Sequence, residues 1–220
     1  MVAEKIKYYL NKLPKNVKLV AVSKTKPEEL IMEAYNIGYK VFGENKIQDL
    51  VRKYENLPKD IEWHFIGHLQ TNKIKFIVPF VSLIHAVDSF KLLKSINKEA
   101  KKINKTIDCL LQVHIAKEDT KFGLNKTELL EILDSTEFNK LKNINICGLM
   151  GMATYTNNIA QITKEFKYLS DLKTELKEKY FTKNSSFKEL SMGMSGDYKI
   201  AIEQGSTIVR IGSDIFGARN

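Results

Sequence analysis

The run Lys18-Leu19-Val20-Ala21-Val22-Ser23-Lys24-Thr25-Lys26-Pro27 decides how the rest of the chain is read. Lys18–Ser23 reads as a strand whose apolar residues fall on both faces, as in a parallel sheet covered on both sides. The pattern changes at Lys24, and a helix over Glu28–Ile37 follows, stopping at Gly38. A strand that passes directly into a helix is the repeating unit of a parallel α/β fold. The same reading leaves Lys24 as an amine at the C-terminal mouth of a buried strand. Loss of solvation there lowers the pKa of a lysine and makes its nitrogen nucleophilic, able to form a Schiff base with a carbonyl.

Working outward, the alternation continues. Lys40–Phe42 precedes a polar helix around Ile47–Tyr54, and Trp63–Ile66 precedes a short helix near Asn72–Ile77. Leu83–Val87 precedes a helix with Phe90, Leu93, Ile96, Ala100 and Ile103 at helical spacing. Asp108–Ile115 precedes Lys126–Asp134, and Ile144–Leu149 precedes the apolar stripe Ile159, Ile162, Phe166, Leu169, Leu172 and Leu176. Glu189–Ser191 precedes a helix over Asp197–Gln204, and Thr207–Ile211 is the last strand. Eight such units argue for a closed barrel over an open sheet. The expected fold is therefore α/β, a single-domain (β/α)8 TIM barrel over residues 1–220, preceded by an extra N-terminal helix with Ile6, Leu10 and Leu13 on one face. No GxGxxG follows the first strand and no Walker motif is present, which weighs against a nucleotide-binding fold.

Composition narrows the function classes. The 220 residues are 43% hydrophobic and 28% charged, ordinary for a globular protein with a sizeable core. The formal net charge is +9, yet the lysines are scattered and no recognition element accompanies them. They read as a solvated surface able to steer an anionic ligand, with no nucleic-acid partner. Cys109 and Cys147 lie in strand-like segments without CxxC spacing and read as reduced core thiols. No signal-like or membrane-length apolar run occurs, so a cytoplasmic protein without a membrane partner is expected.

In a closed barrel the last strand lies beside the first, and the loops after strands seven and eight commonly hold a phosphate. Here these are Met192-Gly193-Met194-Ser195-Gly196-Asp197 and Gly212-Ser213-Asp214. Either alone reads as an ordinary tight turn; beside Lys24 the pair specifies a ligand with a phosphate and a carbonyl. Arg210 interrupts an apolar strand, and a buried guanidinium needs an acceptor: a carboxylate such as Glu44 or Asp197, or a ligand heteroatom. His64 and His68 have a spacing seen in zinc sites, but it crosses a strand end and lacks a third ligand, so no metal is expected. Gln70, Asn72 and Lys73 read as capping the third helix and lining the mouth. Lys121, in the loop after strand five, is either a solvated cation or a ligand contact.

These residues carry a resemblance to the pyridoxal phosphate homeostasis proteins, a single-domain barrel family similar to the N-terminal domain of bacterial alanine racemase. The matching stretches are Ala21-Val22-Ser23-Lys24-Thr25-Lys26-Pro27, Phe42-Gly43-Glu44-Asn45, Trp63–Lys73, Gly148-Leu149-Met150, Leu190–Ser195 and Val209–Arg219. The resemblance implies that Lys24 holds pyridoxal 5′-phosphate (PLP) as a Schiff base and that Lys26 is a bystander. It places Ser195, Gly212 and Ser213 at the phosphate, Arg210 near the pyridine nitrogen or the phosphate, and Asn45 at the cofactor mouth. Met152 follows strand six, where it can pack on the ring. Gly196 and Ser213 stand where the family also shows other small or polar residues.

A racemase needs a second acid/base, which the enzymes of this resemblance take from an additional domain, whereas this sequence ends at Asn220. An arginine beside the ring nitrogen also opposes its protonation and weakens the ring as an electron sink. The expected function is a non-catalytic PLP-binding protein of intracellular PLP homeostasis, a carrier, buffer or regulator, with a low-activity amino-acid racemase as the alternative. PLP-dependent apoenzymes are candidate partners, and a monomer or weak dimer is expected.

Overall fold

The computed structural model describes residues 1–118 and 122–217. Parallel strands β1 (Lys18–Val22), β2 (Val41–Glu44), β3 (Glu62–Phe65), β4 (Leu83–Val87), β5 (Ile107–Gln112), β6 (Ile144–Met150), β7 (Glu189–Ser191) and β8 (Ile208–Ile211) form a closed barrel in chain order. Closure comes from β1 pairing with β8, Val20 opposite Arg210 and Ala21 opposite Ile211. Outside lie α1 (Val2–Lys12), α2 (Glu28–Tyr35), α3 (Ile47–Asn56), α4 (Ile74–Ile77), α5 (Phe90–Lys102), α6 (Lys126–Asp134), α7 (Ile159–Lys179), α8 (Tyr198–Glu203) and α9 (Ser213–Phe216).

The strands are apolar on both faces because each face meets a different core. Outward residues such as Leu19, Phe42, Trp63, Leu111, Leu149 and Val209 join helix stripes including Leu50, Leu93, Phe166 and Leu169 in one large cluster. Inward residues Val20, Leu83, Ala86, Leu110, Cys147, Met150 and Ile208 form a second, axial cluster. Helix starts follow their caps. Ser89 Oγ accepts from the Leu92 amide to start α5, and Asn125 and Glu128 form a reciprocal capping box on α6.

Several boundaries differ from the sequence reading. The buried stripe of α1 is Val2, Ile6 and Tyr9, with Leu13 beyond it, while Leu10 is 49% exposed. Residues four and seven positions after Val2 return to one helical face, and Leu10 rotates off it. β5 ends at Gln112, because Gln112 and His114 exchange backbone hydrogen bonds with Leu124 as the chain leaves the barrel. The third helix is split into a 3-10 turn, Thr71–Lys73, and α4; Gln70 precedes it without a side-chain cap. α8 begins one residue later than expected, and Ser213-Asp214 belongs to the helical turn α9 rather than to a loop.

Tyr9 gives the N-terminal helix its role. Its hydroxyl donates to Asp214 Oδ2 at 2.7 Å, and its ring meets the first residue of α8, Tyr198, edge-on at 5.5 Å. α1 thus fastens the starts of both helices that follow β7 and β8. Cys109 and Cys147 are free and buried. No helix among the described residues is long and apolar enough to cross a membrane.

Candidate ligand site at the C-terminal mouth of the barrel

Lys24 is half-buried in the turn that follows β1. The Lys26 amide closes this turn on Ser23 O at 3.0 Å, and Thr25 takes a left-handed backbone, φ 63°. That conformation costs a β-branched residue about 1–2 kcal/mol, so the surroundings must hold the turn. They do so with a buried ion pair. Lys53 Nζ donates to Ser23 O at 2.8 Å and to Glu44 Oε1 at 2.7 Å, and Ser23 Oγ donates to the same carboxylate oxygen at 2.6 Å. The Lys53 and Glu44 side chains are 1% and 0% exposed. The carbonyl they grip belongs to the peptide bond that leads into Lys24. Burial raises the Glu44 pKa, with Lys53 and Ser23 opposing the rise, and Glu44 Oε2 has no hydrogen-bond partner. Lys53 therefore departs from the solvated lysine surface read from the sequence. Its signal was present: it continues the buried stripe Ile47, Leu50, Lys53 of α3.

Asn45, the residue after Glu44, is also half-buried at the mouth. Its carbonyl lies so close to Gly67 that a Cβ on Gly67 would sit 2.2 Å away, which binds together the loops after β2 and β3. Across the mouth, Gly193 has φ +94°, and a Cβ there would meet that of Ala201 at 2.6 Å, so this turn needs glycine. Asp197 Oδ1 accepts from the Met194 amide at 2.6 Å and holds the loop after β7. Ser213 Oγ donates to Ser195 Oγ at 3.2 Å, joining that loop to the one after β8. Gly212 lies against Val22, the last residue of β1, which places both serine loops beside the strand leading to Lys24.

Arg210 is 4% exposed and points into the barrel. One guanidinium nitrogen donates to Ser191 Oγ at 2.6 Å and the other to Gly151 O at 3.1 Å. Both acceptors are neutral, and neither carboxylate expected from the sequence holds the guanidinium. Glu44 is engaged by Lys53 on α3, and Asp197 acts on Arg210 only through its field, opposing the burial that pulls the arginine down to about 10. The guanidinium is thus a charge with donors to spare near the mouth, the kind of group that suits an anionic or lone-pair-bearing ligand. Met152, adjacent to Gly151, is half-buried and packs on the axial cluster.

Deeper along the axis, Ser191 Oγ is 2.9 Å from His85 Nδ1, and His85 Nε2 is 2.9 Å from His64 Nδ1. Burial drives the His64 pKa down to about 3 and that of His85 well below its ordinary value. His68 diverges from His64: it bonds Asp88 at 2.9 Å and stacks on Phe122 with ring centroids 4.2 Å apart. Among the described residues no group of three His, Cys, Asp or Glu side chains is placed to hold a metal. Gln70 and Asn72 line, with His68 and Asp88, a cavity of about 330 Å³. Lys121, Ala218 and Arg219 lie outside the described residues. The sequence reading missed Ser191 because a serine between apolar strand residues carries no mark of its partner, and missed Tyr9 because Leu10 was taken for the buried face.

Comparison with known proteins bears on the fold and the family. The family described as "Alanine racemase, N-terminal domain" matches residues 2–220. The pyridoxal phosphate homeostasis protein of Aquifex aeolicus (strain VF5) is 44% identical over 203 residues, covering 92% of this chain and 87% of that protein. The structure of PipY from Synechococcus elongatus PCC7942 with PLP bound superposes with TM-score 0.89 at 33% identity, over 99% of this chain and all of that one. An alanine racemase of Clostridium difficile 630 shares the fold at TM-score 0.73 and 14% identity, over 99% of this chain and 56% of that chain.

Two outcomes follow from the buried titratable groups. Lys53→Met strands the Glu44 carboxylate and is expected to cost about 3–5 kcal/mol in urea unfolding, most of it recovered in Lys53→Met/Glu44→Gln. A loss in the single variant below about 1 kcal/mol would show that the pair does not hold the turn. The histidines set an acid limit. The unfolded chain takes up these protons near 6.5 and native His64 only near 3, so their contribution is intact above 6.5 and falls as pH drops through that window. At roughly 1.4 kcal/mol per unit of displacement, unfolding free energy should fall by several kcal/mol between pH 6.5 and 4, and less in His64→Gln.

Proposed function

This chain belongs to the alanine racemase N-terminal domain family and, within it, to the pyridoxal phosphate homeostasis proteins, and from that membership we propose that it binds pyridoxal 5′-phosphate at the barrel mouth as a non-catalytic protein of PLP homeostasis. The observation that carries the reading is the convergence, through β1–β8 closure, of Lys24, the joined Ser195 and Ser213 loops and the Arg210 guanidinium. When bound, PLP supplies an aldehyde that condenses with amines and a ring that can draw electrons from an attached carbon. Lys24 Nζ is the amine that holds it covalently. The Ser195 and Ser213 hydroxyls, with the close backbone approach at Gly212, receive its phosphate. Arg210 would stand near the ring nitrogen or the phosphate, Met152 would pack against the ring, and Asn45 would line the opening.

The same residues argue against efficient turnover. A guanidinium that titrates only near 10 keeps its charge at neutral pH and opposes protonation of a neighbouring ring nitrogen. Holding the cofactor without activating its ring is the behaviour of a buffer or carrier, with apoenzymes that need PLP as its recipients. We take the protein to act as one domain over residues 1–220, in the cytoplasm, as a monomer or weak dimer. Membership of the alanine racemase N-terminal domain family favours one other reading, a low-activity racemase.

Borohydride reduction of the PLP-loaded protein should fix the phosphopyridoxyl group on Lys24, and Lys24→Ala should lose the visible absorption band. A label on Lys26 or Lys121 would remove Lys24 from the site. Function is separated by Cα deuterium exchange with alanine and serine. Enzymes turn over at roughly 1–10³ per second, and exchange far below that range is expected. Exchange within it, abolished in Lys24→Ala, would establish the racemase instead.

A further inference from the structure

The hydrogen bonds behind Arg210 have a direction, and it can be derived from donor chemistry alone. A guanidinium carries N–H donors and no acceptor, so its 2.6 Å bond to Ser191 uses the hydroxyl oxygen as acceptor. The remaining neighbour of that oxygen is His85 Nδ1 at 2.9 Å; among the described residues Ser191 Oγ has no third partner. If His85 Nδ1 carried a proton, the serine proton would be buried with nothing to receive it, at a cost of about 1–3 kcal/mol. The serine must therefore donate to an unprotonated Nδ1.

The neutral His85 ring then carries its hydrogen on Nε2, and the atom 2.9 Å from it, His64 Nδ1, must accept. Neutral His64 in turn carries its hydrogen on Nε2. Each link donates away from Arg210 and toward the N-terminal end of the barrel. The last donor does not end in packed core. His64 lines a cavity of about 460 Å³ bounded by Lys18, Glu62, Leu83 and Glu189 at the starts of their strands, the end of the barrel opposite Lys24. His64 Nε2 has no hydrogen-bond partner among the described residues.

We propose that Ser191, His85 and His64 are positioning residues for Arg210: a one-way donor chain along the barrel axis that fixes the guanidinium and so decides which of its N–H groups remain for the ligand at the mouth. Its far end is open to the opposite face of the protein through His64 Nε2–H. The ligand part of this inference rests on the PLP reading above, whereas the direction of the chain is a property of the protein without ligand. Two independent constraints hold the guanidinium in place, the Ser191 bond and the Gly151 carbonyl at 3.1 Å. Losing the first leaves rotation about the second, and the remaining donors lose their aim.

Long-range ¹H–¹⁵N correlation spectra of the unloaded protein at neutral pH read the tautomers directly. Both His64 and His85 should be neutral with the hydrogen on Nε2; a hydrogen on Nδ1 of His85 in the native protein overturns the chain. In Ser191→Ala the His85 constraint is released, so its Nδ1–H form should become populated, and the PLP dissociation constant measured by fluorescence should rise about tenfold. His64→Gln, two links from Arg210 and away from the mouth, should raise it by a smaller factor and remains informative if Ser191→Ala does not fold. Native tautomers as derived, but unchanged PLP affinity in both variants, would leave the chain structural and overturn the positioning role. Failure of the wild-type protein to take up PLP would instead sink the cofactor reading, and the tautomers would still decide the direction of the chain.

Discussion

Pairing of β1 with β8 is the constraint from which the site follows. Lys24 and Arg210 are separated by most of the sequence, yet the register that sets Val20 opposite Arg210 puts the turn after one strand beside the loop after the other. Had the sheet stayed open, these strands would have been its two edges and the lysine would have faced solvent alone. Closure also explains why Gly212 must lie flat on Val22. The serine contact that joins the loops after β7 and β8 completes a rim whose parts come from strands distant in sequence but adjacent in the ring.

Among the described residues the barrel buries two cations and treats them in opposite ways. Lys53 sits in the wall between α3 and the ends of β1 and β2, against a carboxylate and a carbonyl. Its charge is balanced inside the protein, and its effect is to clamp the backbone. Arg210 lies on the axis against a hydroxyl and a carbonyl, and no carboxylate among the described residues is in contact with it. Burying a charge against neutral acceptors is costly. The contrast separates a cation that clamps the backbone from one that keeps hydrogen-bond donors beyond its two neutral acceptors.

The alternation of strand-like and helix-like segments carried the barrel because period is a local property: Leu83–Val87 and the stripe of α7 needed no knowledge of their neighbours. Lys24 was legible for the same reason, a cation ending an apolar run. What stayed hidden was mostly pairwise. Nothing beside Glu44 marks Lys53 as its partner, and Glu44 was instead offered to Arg210, because choosing between two cations requires knowing which wall of the strand each one faces. Leu10 failed in a simpler way. Tyrosine and leucine at adjacent positions both fit an apolar stripe, and the stripe begun at Val2, with the contacts to Asp214 and Tyr198, selects Tyr9.

That contact has a consequence for the order of assembly. Tyr9 and Asp214 are 205 positions apart, so the bond that fastens the start of α9 cannot form until nearly the whole chain is available. The same holds for the β1–β8 seam. Structures dominated by such distant pairings form slowly, because the entropy of closing a long loop is lost before the contact returns anything. During synthesis β1 can pair with β2 and α1 can pack on α2 early, whereas their contacts with β8 and α9 must wait for the C-terminal segments. The β1–β8 side of the mouth therefore depends on closure, and any compound that recognises it selects for chains whose barrel has closed.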